Sequence, residues 1–122
     1  MIKHIVCFKL KDNSLENCQK TYDILMSMKG KVEMLKDIQV GIDFLHSERS
    51  YDIILETLLA DENALDAYQN DPYHCDVVKK HMHAVRESSI AIDYYIITTP
   101  KRRGMYRPYK GLLLRRSSPI EA

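Results

Sequence analysis

No stretch of this 122-residue chain is long and apolar enough to approach the roughly 18 residues of a membrane span, which excludes a helical anchor. A signal-peptide core is missing too, because Met1-Ile2-Lys3-His4 leads straight into an alternating strand pattern. Cysteine is scarce: Cys7, Cys18 and Cys75 form an odd set without a CxxC pair, which excludes a disulfide framework and a zinc knuckle. Tryptophan is absent. Free thiols and no export signal fit a soluble, cytoplasmic protein. At this length the chain buries one sizeable core and is short for two.

An excess of one charge is also lacking overall, with a formal net charge of +1, but the distribution is uneven. Residues 1–100 carry 11 Lys/Arg against 16 Asp/Glu, whereas residues 101–122 carry 7 against 1. The expected organisation is therefore a folded domain over 1–99 and a basic C-terminal tail over 100–122. In the tail, Lys101, Arg102, Arg103, Arg107, Lys110, Arg115 and Arg116 are interleaved with Tyr106, Tyr109 and the run Leu112 to Leu114. Such a pattern suits nucleic acid or an acidic surface. A solvated extension, or a tail folded onto its own acidic domain, fits the same residues.

Within the domain, residues 2–10 alternate as a strand, with Ile2, His4, Val6, Phe8 and Leu10 on one face. Asn13 with Glu16 reads as a capping box for an amphipathic helix over 14–29, built on Leu15, Cys18, Tyr22 and Leu25 and stopped near Gly30. Ile38, Val40, Ile42 and Phe44 mark a second strand. Tyr51, Ile53, Leu55 and Thr57 mark a third, paired with the second as a hairpin. Asp61 caps a short helix ending at Tyr68, Asp71-Pro72 restarts a helix to about Val85, and Ile90, Ile92, Tyr94 and Ile96 mark the last strand.

This order predicts an α+β fold, the ferredoxin-like split βαβ arrangement, with helices on one face of a four-stranded antiparallel sheet. The other face is too apolar to stay wet, because Ile5, Cys7, Leu45, Ile54, Leu58, Ala91 and Ile97 lie opposite the first apolar set. No helix remains to cover it. A second copy of the chain is the simplest cover, so the expected assembly is a homodimer packed sheet to sheet as a dimeric α+β barrel.

Candidate chemistry is concentrated between Ala67 and His74. Tyr68 at the end of one helix and His74 in the first turn of the next bring a phenol and an imidazole to a junction. A proton removed from carbon next to a carbonyl needs a base near neutral pH and a donor for the enolate oxygen. His74 is the candidate base and Tyr68 the candidate donor, with the positive end of the helix keeping the imidazole neutral. The structural alternative has His74 bonded locally and Tyr68 packed at the core edge. His4, on an apolar strand face, is either a satisfied core histidine or a pocket residue. His74 and His81 lie two turns apart, roughly 10 Å, too far for one ion. No metal site and no cofactor is expected from one chain.

The opening Met1 to Asp12 segment, Val40-Gly41, Ser50-Tyr51-Asp52, Ala67-Tyr68 with Asp71-Pro72-Tyr73-His74, Arg86-Glu87-Ser88 and Asp93-Tyr94 together resemble the stress-responsive A/B barrel domain (Dabb) family over about residues 1–97. The resemblance implies a ferredoxin-like fold that dimerises into a barrel. It also implies a cavity between sheet and helices. A plant polyketide cyclase of that family performs a cofactor-free aldol closure, and its catalytic histidine, catalytic tyrosine and first-strand pocket histidine match His74, Tyr68 and His4. Its third-strand histidine falls on Ile53, and its first-helix tyrosine has no ungapped counterpart.

Three functional readings follow. One is a cofactor-free lyase or cyclase, catalytic through His74 and Tyr68 with His4 binding substrate, acting on a small hydrophobic or aromatic carbonyl compound. Another is a ligand-binding or stress-protective protein without chemistry. The last is a cofactor-independent oxygenase, some versions of which the absence of tryptophan counts against.

Overall fold

The computed structural model describes residues 1–96. The tail from 100 to 122, and Ile97, lie outside the described residues. The elements run β1 (Ile2–Leu10), α1 (Leu15–Met26), β2 (Asp37–Ile42), β3 (Ile53–Leu59), α2 (Glu62–Gln69), a π-helical segment His74–Lys79 that continues into α3 (Lys80–Val85), and β4 (Arg86–Tyr95). All pairings are antiparallel and the strand order is β2-β3-β1-β4. This is the expected α+β, ferredoxin-like sheet with β1 and β3 at its centre. Among the described residues no helix is long and apolar enough to cross a membrane.

The core lies between the sheet and the helices. From the strands come Ile2, Phe8, Ile53, Leu55 and Leu59, and from the helical layer Leu25, Met28, Tyr68, Val78 and Met82. Alternation along β1 and β3 places these strand side chains on one face, and the four-residue step from His74 to Val78 to Met82 keeps one stripe of the last helix turned inward.

Several boundaries differ from the sequence expectation, each for a local reason. Ser14, not Asn13, caps α1, accepting from the Asn17 amide at 3.3 Å. Asn13 is used elsewhere, since its side-chain amide donates to Asp52 Oδ1 at 3.1 Å. Strand β2 ends at Ile42, so Phe44 does not continue its face but stands 88% exposed in the following loop, with Leu45 beside it rather than on the sheet. The largest correction concerns β4. Ile92 pairs with Ile5 and Ile90 with Cys7, which turns Ile90, Ile92 and Tyr94 to the open face and Ala91 and Asp93 toward the helices. An alternating strand read one residue out of phase swaps its two faces, and at an edge strand both faces carried enough apolar residues to permit either phase.

Asp52 ties the end of β1 to the start of β3. Its Oδ2 accepts from the Leu10 amide at 2.8 Å, while its own amide donates to the Phe8 carbonyl at 2.8 Å. The carboxylate is buried and, among the described residues, keeps hydrogen bonds but no cation. Asp52→Asn retains an acceptor for the Leu10 amide without its charge but turns an NH2 group toward the Asn13 side-chain amide, losing that bond, so urea denaturation should show a loss of about 1–2 kcal/mol.

Candidate functional site

Three aromatic rings from three elements meet beneath the helices. Tyr68, near the end of α2, is 0% exposed, and His4 on β1 and His74 at the start of the π-helical segment are 7% exposed each. The His74 ring stacks on Tyr68 with centroids 4.1 Å apart and planes at 21°, while His4 meets Tyr68 edge-on at 5.7 Å and 66°. The structure thus brings together all three residues singled out in the sequence.

The junction between the helices explains the placement. Asn70 ends α2, and the side chain of Asp71 accepts from the His74 amide at 3.0 Å, which starts the next helical stretch where Asp71-Pro72 predicts it. A six-residue π-helical segment then follows, a rare conformation that recurs at functional sites. His74 Nδ1 donates to the Tyr68 carbonyl at 3.0 Å. A carbonyl only accepts, so Nδ1 carries the hydrogen and Nε2 keeps its lone pair. Burial pushes the His74 pKa down from 6.5 to about 4; Lys79 and His4 add to the fall, while the bond to Tyr68 and the charge of Asp71 oppose it. The imidazole is therefore neutral, through burial first rather than through the helix end the sequence emphasised, and a weaker base than an ordinary histidine.

Tyr68 presents a different picture at its far end. Its hydroxyl donates to Met28 Sδ at 3.8 Å, and burial drives the phenol well above its ordinary range, with Asp71 contributing in the same direction. The group stays protonated at every physiological pH. Thioether sulfur is a weak acceptor, so the hydroxyl is held but not strongly satisfied.

His4 has a partner the sequence reading missed. Its Nδ1 donates to Asp93 Oδ1 on β4, and its backbone carbonyl accepts from the Thr57 hydroxyl at 2.9 Å. The carboxylate fixes the ring orientation and leaves Nε2 as the free nitrogen. The signal was available as a lone carboxylate in an apolar strand, but only with β4 phased on Ala91 and Asp93. His81 stands apart, with Nε2 3.1 Å from Thr21 Oγ1 on α1. Among the described residues no three His, Cys, Asp or Glu side chains gather as metal ligands. A cavity of about 240 Å³ lies elsewhere, where the ends of β1 and β4 meet the β2–β3 loop.

The fold defines an α+β protein of the ferredoxin-like class with a buried histidine–tyrosine–histidine stack. Residues 2–96 match the family model of the stress responsive A/B barrel domain, and the chain belongs to that family. Solved structures of the same fold include a dimeric protein from Bacteroides fragilis, 24% identical over 78% of this chain and 95% of that one, with a TM-score of 0.66. A Dabb family protein from Mesorhizobium loti is 22% identical over 80% and 97%, with a TM-score of 0.63. A hydroxynitrile lyase from Passiflora edulis is 15% identical over 81% and 96%, with a TM-score of 0.68. No curated protein matches the chain.

Proposed function

We propose that the protein acts, without a cofactor, as a proton-transfer lyase or cyclase on a small hydrophobic or aromatic carbonyl compound. The observation that carries this reading is the neutral, buried His74, whose tautomer leaves Nε2 as a base against an aromatic stack. His74 Nε2 removes the proton next to the carbonyl. The Tyr68 hydroxyl exchanges its weak bond to Met28 for one to the developing enolate oxygen, which a charged acceptor favours. His4, oriented by Asp93, borders the substrate and fixes its polar end. The hydroxynitrile lyase on the same fold supports the reading to the extent that the fold accommodates a lyase.

The test is hydrogen–deuterium exchange in heavy water at the activated carbon of an aryl 1,3-diketone, followed by proton NMR. Exchange above the buffer rate, reduced to that rate by His74→Gln and only slowed by Tyr68→Phe, is the expected result. Exchange indifferent to His74→Gln removes the assignment of the base. The complete burial of Tyr68, with Met28 already against its hydroxyl, favours a second reading in which the stack binds or only packs. Under that reading the diketone shifts resonances around Tyr68 without exchange.

The working unit is a homodimer. Ile5, Cys7, Ile54, Ile90 and Ile92 form an apolar surface on the sheet face away from the helices, with Ile92 63% exposed in a single chain. The related Bacteroides fragilis protein is dimeric, and a two-fold stacking of these faces buries the surface symmetrically. Trimming Ile92 to alanine should weaken self-association by about tenfold in sedimentation equilibrium, from lost apolar contact in both copies. A wild-type chain that sediments as a monomer at micromolar concentration overturns the dimer.

A further inference from the structure

The cavity of about 240 Å³ is separate from the aromatic stack and has a different character. Its volume far exceeds the roughly 15 Å³ that a single water requires. Among the described residues that line it Leu10 alone is apolar; the rest are polar or charged, among them Lys9, Asn13, Ser47, Asp52 and Glu87, with His46 engaged by Asp43. Asp52 and Asn13 are committed to each other and to the Leu10 amide, and the Ser47 and Ser50 hydroxyls lie 2.8 Å apart and bracket the loop. These four are walls. Lys9 and Glu87 are not committed in this way.

Lys9 Nζ rests 5.1 Å above the Tyr51 ring, which engages its charge without using its N–H groups. It forms no ion pair among the described residues, and Glu87 forms neither an ion pair nor a side-chain hydrogen bond among them. Glu87 also occupies a special place in the sheet. Lys9 pairs with Ser88 but Leu10 pairs with Arg86, so the register passes over Glu87 at an irregularity of the kind that re-aims a side chain. A cation and a carboxylate thus line one polar cavity without meeting each other.

We propose that this cavity binds a small zwitterion of the amino-acid type, with its carboxylate on Lys9 and its ammonium on Glu87. The walls add hydroxyl groups for orientation and little apolar surface, so the ligand is short and polar. The site is independent of proton transfer at His74 and stands or falls separately from it.

The full chain, labelled with nitrogen-15, should be titrated with glycine, serine, glutamate and 4-aminobutyrate, and separately with propionate and propylamine. The expected result is saturable movement of the Leu10, Asn13 and Ser47 amides with at least one zwitterion, and none with the acid or the amine alone. Lys9→Met and Glu87→Gln should each weaken that binding by about tenfold or more, because each removes one charge-assisted contact. Both residues lie outside the core, and retained spectra elsewhere will establish that the variants fold. No saturable movement with any zwitterion overturns the proposal, and equal movement with propionate or propylamine overturns the zwitterion in favour of a simple ion site.

Discussion

Replacing Tyr68 with alanine is expected to lower the unfolding free energy by about 3–5 kcal/mol, whereas Tyr68→Phe should cost less than about 1 kcal/mol. The ring is fully buried, stacked on one side by His74 and met edge-on by His4, and it belongs to the central core cluster. Truncation leaves a cavity that the sheet on one side and the helices on the other cannot close, and it deprives both histidines of their ring contact. Removing the hydroxyl alone gives up one long bond to sulfur. Equilibrium denaturation in urea measures both changes. If Tyr68→Ala unfolds at nearly the wild-type midpoint, the stack is not a structural centre; if Tyr68→Phe is as damaging as alanine, the Met28 bond matters far more than its length suggests.

The pair of variants also separates packing from chemistry. A folded Tyr68→Phe protein that no longer stabilises an enolate identifies the hydroxyl as the donor, because the ring contacts survive the change. Tyr68→Ala gives no such information, since loss of activity would follow from loss of the fold around His74.

The features legible in the sequence were those set by strong local rules. Asp61 and Asp71 cap helices where their positions indicate, and alternation along β1 and β3 gives the correct buried face. Tyr68 and His74 were readable as neighbours because only a short junction separates two helices that pack on the same sheet. Three things were not legible. Strand β4 is an edge strand with apolar residues on both faces, so its phase is decided by pairing with β1, and with the phase went the partnership of Asp93 with His4. The π-helical segment depends on hydrogen-bond geometry that residue spacing does not encode. The destination of the Tyr68 hydroxyl rests on a contact with Met28 forty residues earlier, which becomes visible only once α1 and α2 share a core.

Acidification offers a measurement of the same site from the other side. The His74 pKa stands at about 4 in the fold against 6.5 ordinarily, so between these values the unfolded chain binds a proton that the folded chain refuses. Its contribution to stability is therefore complete above pH 6.5 and is lost as the pH falls through that window toward 4. A displacement of this size is worth at most about 3 kcal/mol, and about 2 kcal/mol after screening by nearby solvent. His81, held low by burial and by Lys20, slopes the same way, so the wild-type curve alone does not isolate one residue. The difference between wild type and His74→Gln does. Glutamine retains a donor for the Tyr68 carbonyl and cannot titrate, so its stability should fall less steeply between pH 6.5 and 4, with the two curves converging at the acid end. Parallel curves throughout that range would mean that His74 protonates in the fold as readily as in the open chain, and the burial that sets its environment here would be contradicted.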